Sequence, residues 1–329
     1  MTTVPAQTEG ATPRRTRLSG LRRAFAPVFE AQGTTRTMLW LGVAITTSFV
    51  LVALLAPVIA PYDFDTFRAD GERFGQLEPP SRDHLMGTNV QSTDVLSRII
   101  WGTQTELKVV LVSLAISILV GVPLGLFSGY FGGKLDRVLV LVMDALLVFP
   151  FLLLAIVIAF LLSDKVGQGI LTAAIAITVV YIQLYFRVVR NHTISIREEP
   201  FVEAARALGA PPLTVIRKYV FFNVVQNVPP LATLNAADAI LTLAALGFLG
   251  YGIQPTEGAE WGYDVNRAVS DATSGIWWTG LFPGLAIVLL VVGLTLLGEG
   301  LSETMNPVLR KRPIAEVDMS KTTDSAESQ

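Results

Sequence analysis

Residues 199–212 read EPFVEAARALGAPP, a mixed-polarity island between two of the most apolar runs of the chain, 170–191 and 219–253. Proline at position 200 costs a helix little, because the first-turn N–H has no partner in any case. Gly209 supplies a left-handed stop, and Pro211-Pro212 prevents continuation. Between these signals Phe201, Ala204, Ala205 and Leu208 fall at i, i+3, i+4 and i+7, with Glu203 and Arg206 on the more polar side. A second helical pattern from Leu213 to Tyr219 feeds the next apolar run, so the unit reads as helix, tight turn, helix. A helix of roughly nine residues is marginal alone. By its residues it fits either a groove on another protein or a place beneath its own bundle or in the headgroups.

The surroundings fix what the island belongs to. Of the 329 residues 51% are hydrophobic and 16% charged, and the mean hydropathy is +0.53, against about 25% charged residues in soluble domains. A helix needs about 20 mainly apolar residues to cross the hydrocarbon. Six runs qualify, at 37–60, 106–130, 135–162, 170–191, 219–253 and 279–302. They are too long and unbroken for the alternating ~10-residue segments of a membrane barrel. The fold class expected is therefore an all-α polytopic membrane protein with six transmembrane helices.

Lys and Arg accumulate in cytoplasmic loops. The tail to Arg36, the 131–137 turn, the 187–218 loop and the C-terminal tail carry 18 of the 25, which places the island in the largest cytoplasmic loop and both termini inside. In the tail 1–36, residues 18–30 space Leu21, Phe25, Val28 and Phe29 as one helical face opposite Arg22 and Arg23, an interfacial helix. That tail has no apolar h-region, so no cleavable signal peptide is expected. The polar tail 308–329 is expected to be disordered. Zero cysteines exclude disulfides and thiolate metal sites.

Two outer segments are long, 61–105 and 254–278, and the second carries Trp261, Trp277 and Trp278, expected as an aromatic belt. Glycine and proline interrupt several spans, as at Gly121-Val-Pro123-Leu-Gly125, Pro150 and Pro229-Pro230, allowing kinks and close helix approach. Polar side chains inside spans are costly and mark pathways by default. Asp144, Gln183, Asn227, Asn235 and Asp238 form that set. Asn235 and Asp238 share a face near mid-membrane at i, i+3, whereas Asp144 sits close enough to the cytoplasmic side to accept hydrogen bonds from a neighbouring helix. His84 and His192 fall on opposite sides and form no shared metal site, and no catalytic constellation stands out. No phosphate loop occurs: Gly133-Lys134 has Ser128 where the first glycine belongs and Leu135 where a hydroxyl belongs. Any ATP hydrolysis must come from another polypeptide.

Glu203-Ala204-Ala205, with Gly209 four residues after the second alanine, resembles the EAA motif of ABC importer permeases, and its placement between the fourth and fifth spans strengthens the match. GTNVQSTDVLSRIIWG (87–102), DALLVFPFLLLAI (144–156), GFLGYGIQPTEGAEWG (247–262) and LFPGLAIVLLVVGLTLLGEGLSETMNP (281–307) resemble the oligopeptide/dipeptide/nickel permease subfamily, specifically its C-type subunit. The resemblance covers residues 37–307 and implies a type I importer permease fold in the bacterial inner membrane. It implies a homologous permease as partner, two ATPase subunits or one fused ATPase holding ATP and Mg, an extracytoplasmic binding protein, a lipid bilayer and no nucleic acid. No cofactor is implied in this chain.

By the same resemblance Phe201, Glu203, Ala204, Ala205, Arg206, Leu208 and Gly209 in the 199–219 unit couple to the ATPase, so that Ala205→Arg is expected to weaken docking. Asp144, Asn235 and Asp238 are the pathway candidates, and peptides the expected cargo. Nickel, haem or another small solute is the alternative, a stand-alone secondary transporter the rival class. The sequence departs from the subfamily at Phe221-Phe222-Asn223, where Leu-Pro-Asn is usual, and this suggests a straighter lead-in to the fifth span. It also has Leu243 where a carboxylate is common, and Ser92-Thr93 in place of Gly-Arg before Asp94.

Overall fold

A lipid-embedded backbone must satisfy its own hydrogen bonds, and helices do so within a single segment. The computed structural model describes residues 33–69 and 71–305; the interfacial helix expected at 18–30 and the tail 308–329 lie outside these. In chain order the helices are α1 (Gly33–Ile59), α2 (Val95–Phe131), α3 (Gly133–Val148), α4 (Phe151–Val166), α5 (Ile170–Arg197) and α6 (Pro200–Ala207). Then follow α7 (Pro212–Val215), a π-helical turn (Ile216–Val220), α8 (Phe221–Val224), a 3-10 turn (Val225–Asn227), α9 (Val228–Phe248), α10 (Trp261–Thr273) and α11 (Trp278–Met305). A two-residue antiparallel ribbon, β1 (Arg68–Ala69) and β2 (Glu72–Arg73), decorates the first outer segment.

Five helical stretches are long and apolar enough to cross a membrane: α1, α2, α5, the continuous Pro212–Phe248 stretch and α11. The sixth expected span, 135–162, is not one rod. It breaks between α3 and α4 with a bend of 98°. The cause lies in Phe149-Pro150: proline drives the preceding residue into extended backbone, and Phe149 sits at φ −74, ψ 135.

The most extensive packing joins α2 to α5. Gly121, Gly125 and Gly129 recur every fourth residue along α2, and at each a Cβ would stand 2.7 to 2.8 Å from a carbonyl oxygen of α5, those of Ile182, Phe186 and Arg190. Only glycine permits that backbone approach. The core fills with Ile177 of α5, Ile240 and Leu243 of α9 and Leu290 of α11, all fully buried. The outward faces stay apolar, as Leu111 and Leu119 show, the pattern required by a hydrocarbon solvent.

The lead-in to α9 is irregular, contrary to the straighter path expected from Phe222. Pro229 and Pro230 remove the N–H groups that would close α-helical bonds to Val225 and Gln226. The turn tightens instead, with the Val228 N–H reaching the Val225 carbonyl.

Candidate coupling unit and translocation cavity

α6 begins at Pro200 and ends with Gly209 at φ +80. The Ala210 N–H bonds the Ala205 carbonyl at 3.1 Å and the Gly209 N–H bonds that of Arg206 at 2.9 Å, the paired bonds of a Schellman ending. The helix buries Val202 and Ala205 against its own bundle. Arg206 lies over the Tyr130 ring at 5.0 Å and so fastens α6 to the end of α2. Phe201, Glu203 and Ala204 are exposed, and Leu208 is 88% exposed. The apolar face drawn from spacing is thus split: Ala205 packs inward, while Phe201, Ala204 and Leu208 remain uncovered. Ala205→Arg would disturb the chain's own packing, which makes Leu208 the cleaner probe of docking.

The pathway candidates separate. Asp144 on α3 pairs with Arg187 of α5 at 2.7 Å, both about half exposed. Asn235 turns into the core, 3% exposed. Asp238 instead lines a cavity of about 370 Å³ between the α3–α4 bend, α5 and α9. Gln183 and Tyr181 of α5 and Thr242 of α9 line the same cavity.

The outer segments hold a network that no sequence pattern announces. Asp94 caps α2, its carboxylate accepting from the Ser97 N–H and hydroxyl at 2.7 Å each and meeting His84 Nδ1 at 3.0 Å. Arg98, 3% exposed, donates through Nε to both carboxylate oxygens of Asp264 on α10, at 2.9 and 3.0 Å. Glu260 caps α10, accepting from the Gly262 and Tyr263 N–H groups at 2.7 Å. Its carboxyl meets that of Glu106 on α2, and both are fully buried. Burial pushes Glu260 up to about 8, opposed by those two backbone bonds. Burial also raises Asp264, and Arg98 offsets part of the rise.

Trp261 is no belt residue. It is fully buried and donates its indole N–H to the Ile99 carbonyl at 3.2 Å. Trp278 is buried too, bonded to the Thr88 carbonyl, whereas Trp277 is 53% exposed. The arginine–aspartate pair lies 166 residues apart in sequence, beyond any local pattern. An Arg near the start of a span and a Glu one residue before a Trp were the available signals.

Residues 121–311 match the family profile described as binding-protein-dependent transport system inner membrane component. A dipeptide transport system permease protein DppC of Alkalihalophilus pseudofirmus is 35% identical over 272 residues, covering 82% of this chain and 85% of that protein. The chain belongs to this family. A di/tripeptide transport system permease protein DppC of Pseudomonas aeruginosa is 36% identical over 79% of this chain and 85% of its own length. A glutathione transport system permease protein GsiD of Pectobacterium atrosepticum is 32% identical over 79% and 84% respectively. An inward-facing structure of the MetNI methionine ABC transporter superposes with a TM-score of 0.51 at 20% identity, over 62% of this chain and 94% of the matched one. That likeness shows the type I importer permease fold.

A binding-protein-dependent inner membrane component is a multi-pass, non-catalytic permease subunit. Hydrolysis belongs to a separate subunit. Among the described residues no group of three or more His, Asp or Glu side chains is arranged to hold a metal ion.

Proposed function

We propose that this chain and a homologous permease form the pathway of an ATP-driven importer of short peptides, with the 200–219 unit as its lever. The observation that carries the lever is α6: a short helix that needs outside support, seated by Val202 and Ala205 but leaving Phe201, Ala204 and Leu208 open. Two ATPase subunits, or one fused ATPase, bind ATP and Mg and cover that face. Closure of the ATPases displaces α6 and α7. The motion reaches α9 through the π and 3-10 turns, which are frequent at functional hinges. Cargo then crosses between the permeases after delivery by an external binding protein to the outer segments. Both termini lie in the cytoplasm and the chain sits in the bacterial inner membrane. Peptide cargo is supported by the names of the relatives, which include dipeptide, di/tripeptide and glutathione systems.

The test is purification of the tagged chain from its own cells in mild detergent, with co-purifying proteins identified by mass spectrometry. Reconstitution then measures ATP-dependent uptake of radiolabelled dialanine. A second permease, an ATPase and dialanine uptake are the expected results. Recovery of the chain alone in repeated mild preparations would overturn the assignment.

A further inference from the structure

The cavity beside Asp238 has a chemistry of its own. Four of its lining groups are polar, and their hydrogen bonds can be followed one by one. Thr242 donates its hydroxyl to the Asp238 carbonyl at 2.8 Å, so at the 3.2 Å contact between Tyr181 and Thr242 the phenol is the donor. Tyr181 therefore has only its oxygen lone pairs left to offer. Gln183 is 7% exposed; its Nε2 donates to the Val180 carbonyl at 3.2 Å and its Oε1 has no partner. No hydrogen bond or ion pair reaches the Asp238 carboxylate from any described residue. What remains is an excess of acceptors around one negative charge, with a single amide hydrogen of Gln183 as spare donor. The other walls are apolar, supplied by Leu147, Phe151, Leu184 and Leu241 among others.

A carboxylate within a membrane span is costly unless it is paired or faces a polar cavity, and Asp238 is exposed in this one without a partner among the described residues. That cost is offset by a cationic donor in the cavity. No second carboxylate or imidazole joins Asp238 to make a metal site among the described residues. An ammonium carries one charge and three donors, and the hydrocarbon attached to it suits apolar walls.

We propose that this cavity is a transient subsite for a protonated primary amine of the cargo, the amino terminus of a short peptide, with Asp238 as counter-charge and Gln183 in the wall beside it. The inference rests on the peptide-importer reading and adds to it the group that the membrane pathway recognises. Asp238 and Gln183 thereby help to set specificity within the membrane, in addition to whatever selection the binding protein makes.

The experiment uses the full importer, with its partner permease, ATPase and binding protein, in proteoliposomes, and radiolabelled dialanine as probe. Asp238→Asn is expected to lower initial dialanine uptake about tenfold, while ATP hydrolysis stimulated by the binding protein stays within about twofold. Asp238→Glu is expected to restore at least a third of the rate, and Gln183→Leu to lower uptake about threefold. Equal uptake by wild type and Asp238→Asn would overturn the subsite and leave the importer reading standing. So would loss of the partner permease from the purified Asp238→Asn complex, since Asp238 would then be a contact between subunits. A wild-type importer that hydrolyses ATP but moves no dialanine would defeat the peptide reading itself, and the subsite with it.

Discussion

On the outer side, α10 is tied to α2 by the Arg98–Asp264 pair, the meeting of Glu106 with Glu260, and a fully buried Trp261. On the inner side, α6 is seated by two small apolar residues and a cation–π contact, and its largest side chains, Phe201 and Leu208, are uncovered. The outer helix buries its capping Glu260 and its tryptophan against the chain, whereas the inner one leaves most of its apolar face uncovered. The lever role proposed for α6 is better served by the second design, because a surface that docks and releases as the pathway opens would otherwise have to break contacts internal to the chain at each cycle. The binding-protein docking proposed for the outer segments is better served by the first, a cap that keeps its shape.

The contrast can be broken first at the outer network. Arg98→Leu leaves the Asp264 carboxylate buried without its partner, and breaking a buried pair costs about 3–5 kcal/mol. The thermal unfolding midpoint of the detergent-purified complex is expected to fall further with this change than with Gly125→Val, Glu260→Gln or Leu208→Glu. Equal stability would mean that α10 is held by packing alone. Next comes the α2–α5 seam, where Gly125→Val forces a side chain against the Phe186 carbonyl. Overpacking of this kind costs about 1–3 kcal/mol, read in the same assay, and an unchanged midpoint would mean that the two helices can separate freely.

Glu260 sharpens the comparison through pH. Its carboxyl is raised from 4.5 to about 8 in the folded chain, so between those values the folded state binds more protons than the unfolded one. Stability therefore falls as pH rises through that window and levels above about 8. Glu260→Gln does not titrate. Raising the pH from 6 to 9 is expected to lower the unfolding temperature of the wild type more than that of the variant, and parallel curves would contradict it. The smallest effect on stability belongs to Leu208→Glu. At 88% exposure this change is expected to shift stability by less than about 0.5 kcal/mol, yet to strip the ATPase from the purified complex.

Most of the architecture was legible because hydrocarbon imposes a simple rule, long apolar runs closed into helices. The turn at Gly209 was legible too, since glycine, a proline pair and a helical spacing are local signals. The break at Phe149-Pro150 was visible as a proline, but its angle depends on where α4 finds packing, which no local pattern states. The face of α6 differs at Ala205 from the one its spacing suggests, because the helix is rotated to bury Val202, whose side chain fills the bundle better than alanine. The outer network escaped for a different reason. Arg98, Glu106, Glu260 and Asp264 each read as ordinary loop or span-end charges until the fold carries α10 back onto α2. Asp238 and Asn235 shared a sequence face, yet the 60° between them on the helix sends one into the cavity and the other into the core.

The absence of cysteine makes one measurement especially direct. Leu208→Cys, introduced as the sole thiol and labelled with a photoactivatable maleimide in native membranes, reports what lies against the open face of α6. The expected product is a crosslink to an ATPase subunit carrying a phosphate-binding loop, identified by mass spectrometry and altered in yield by ATP. Crosslinking only to lipid or to the chain itself would contradict the coupling role and make α6 a surface helix of the bundle.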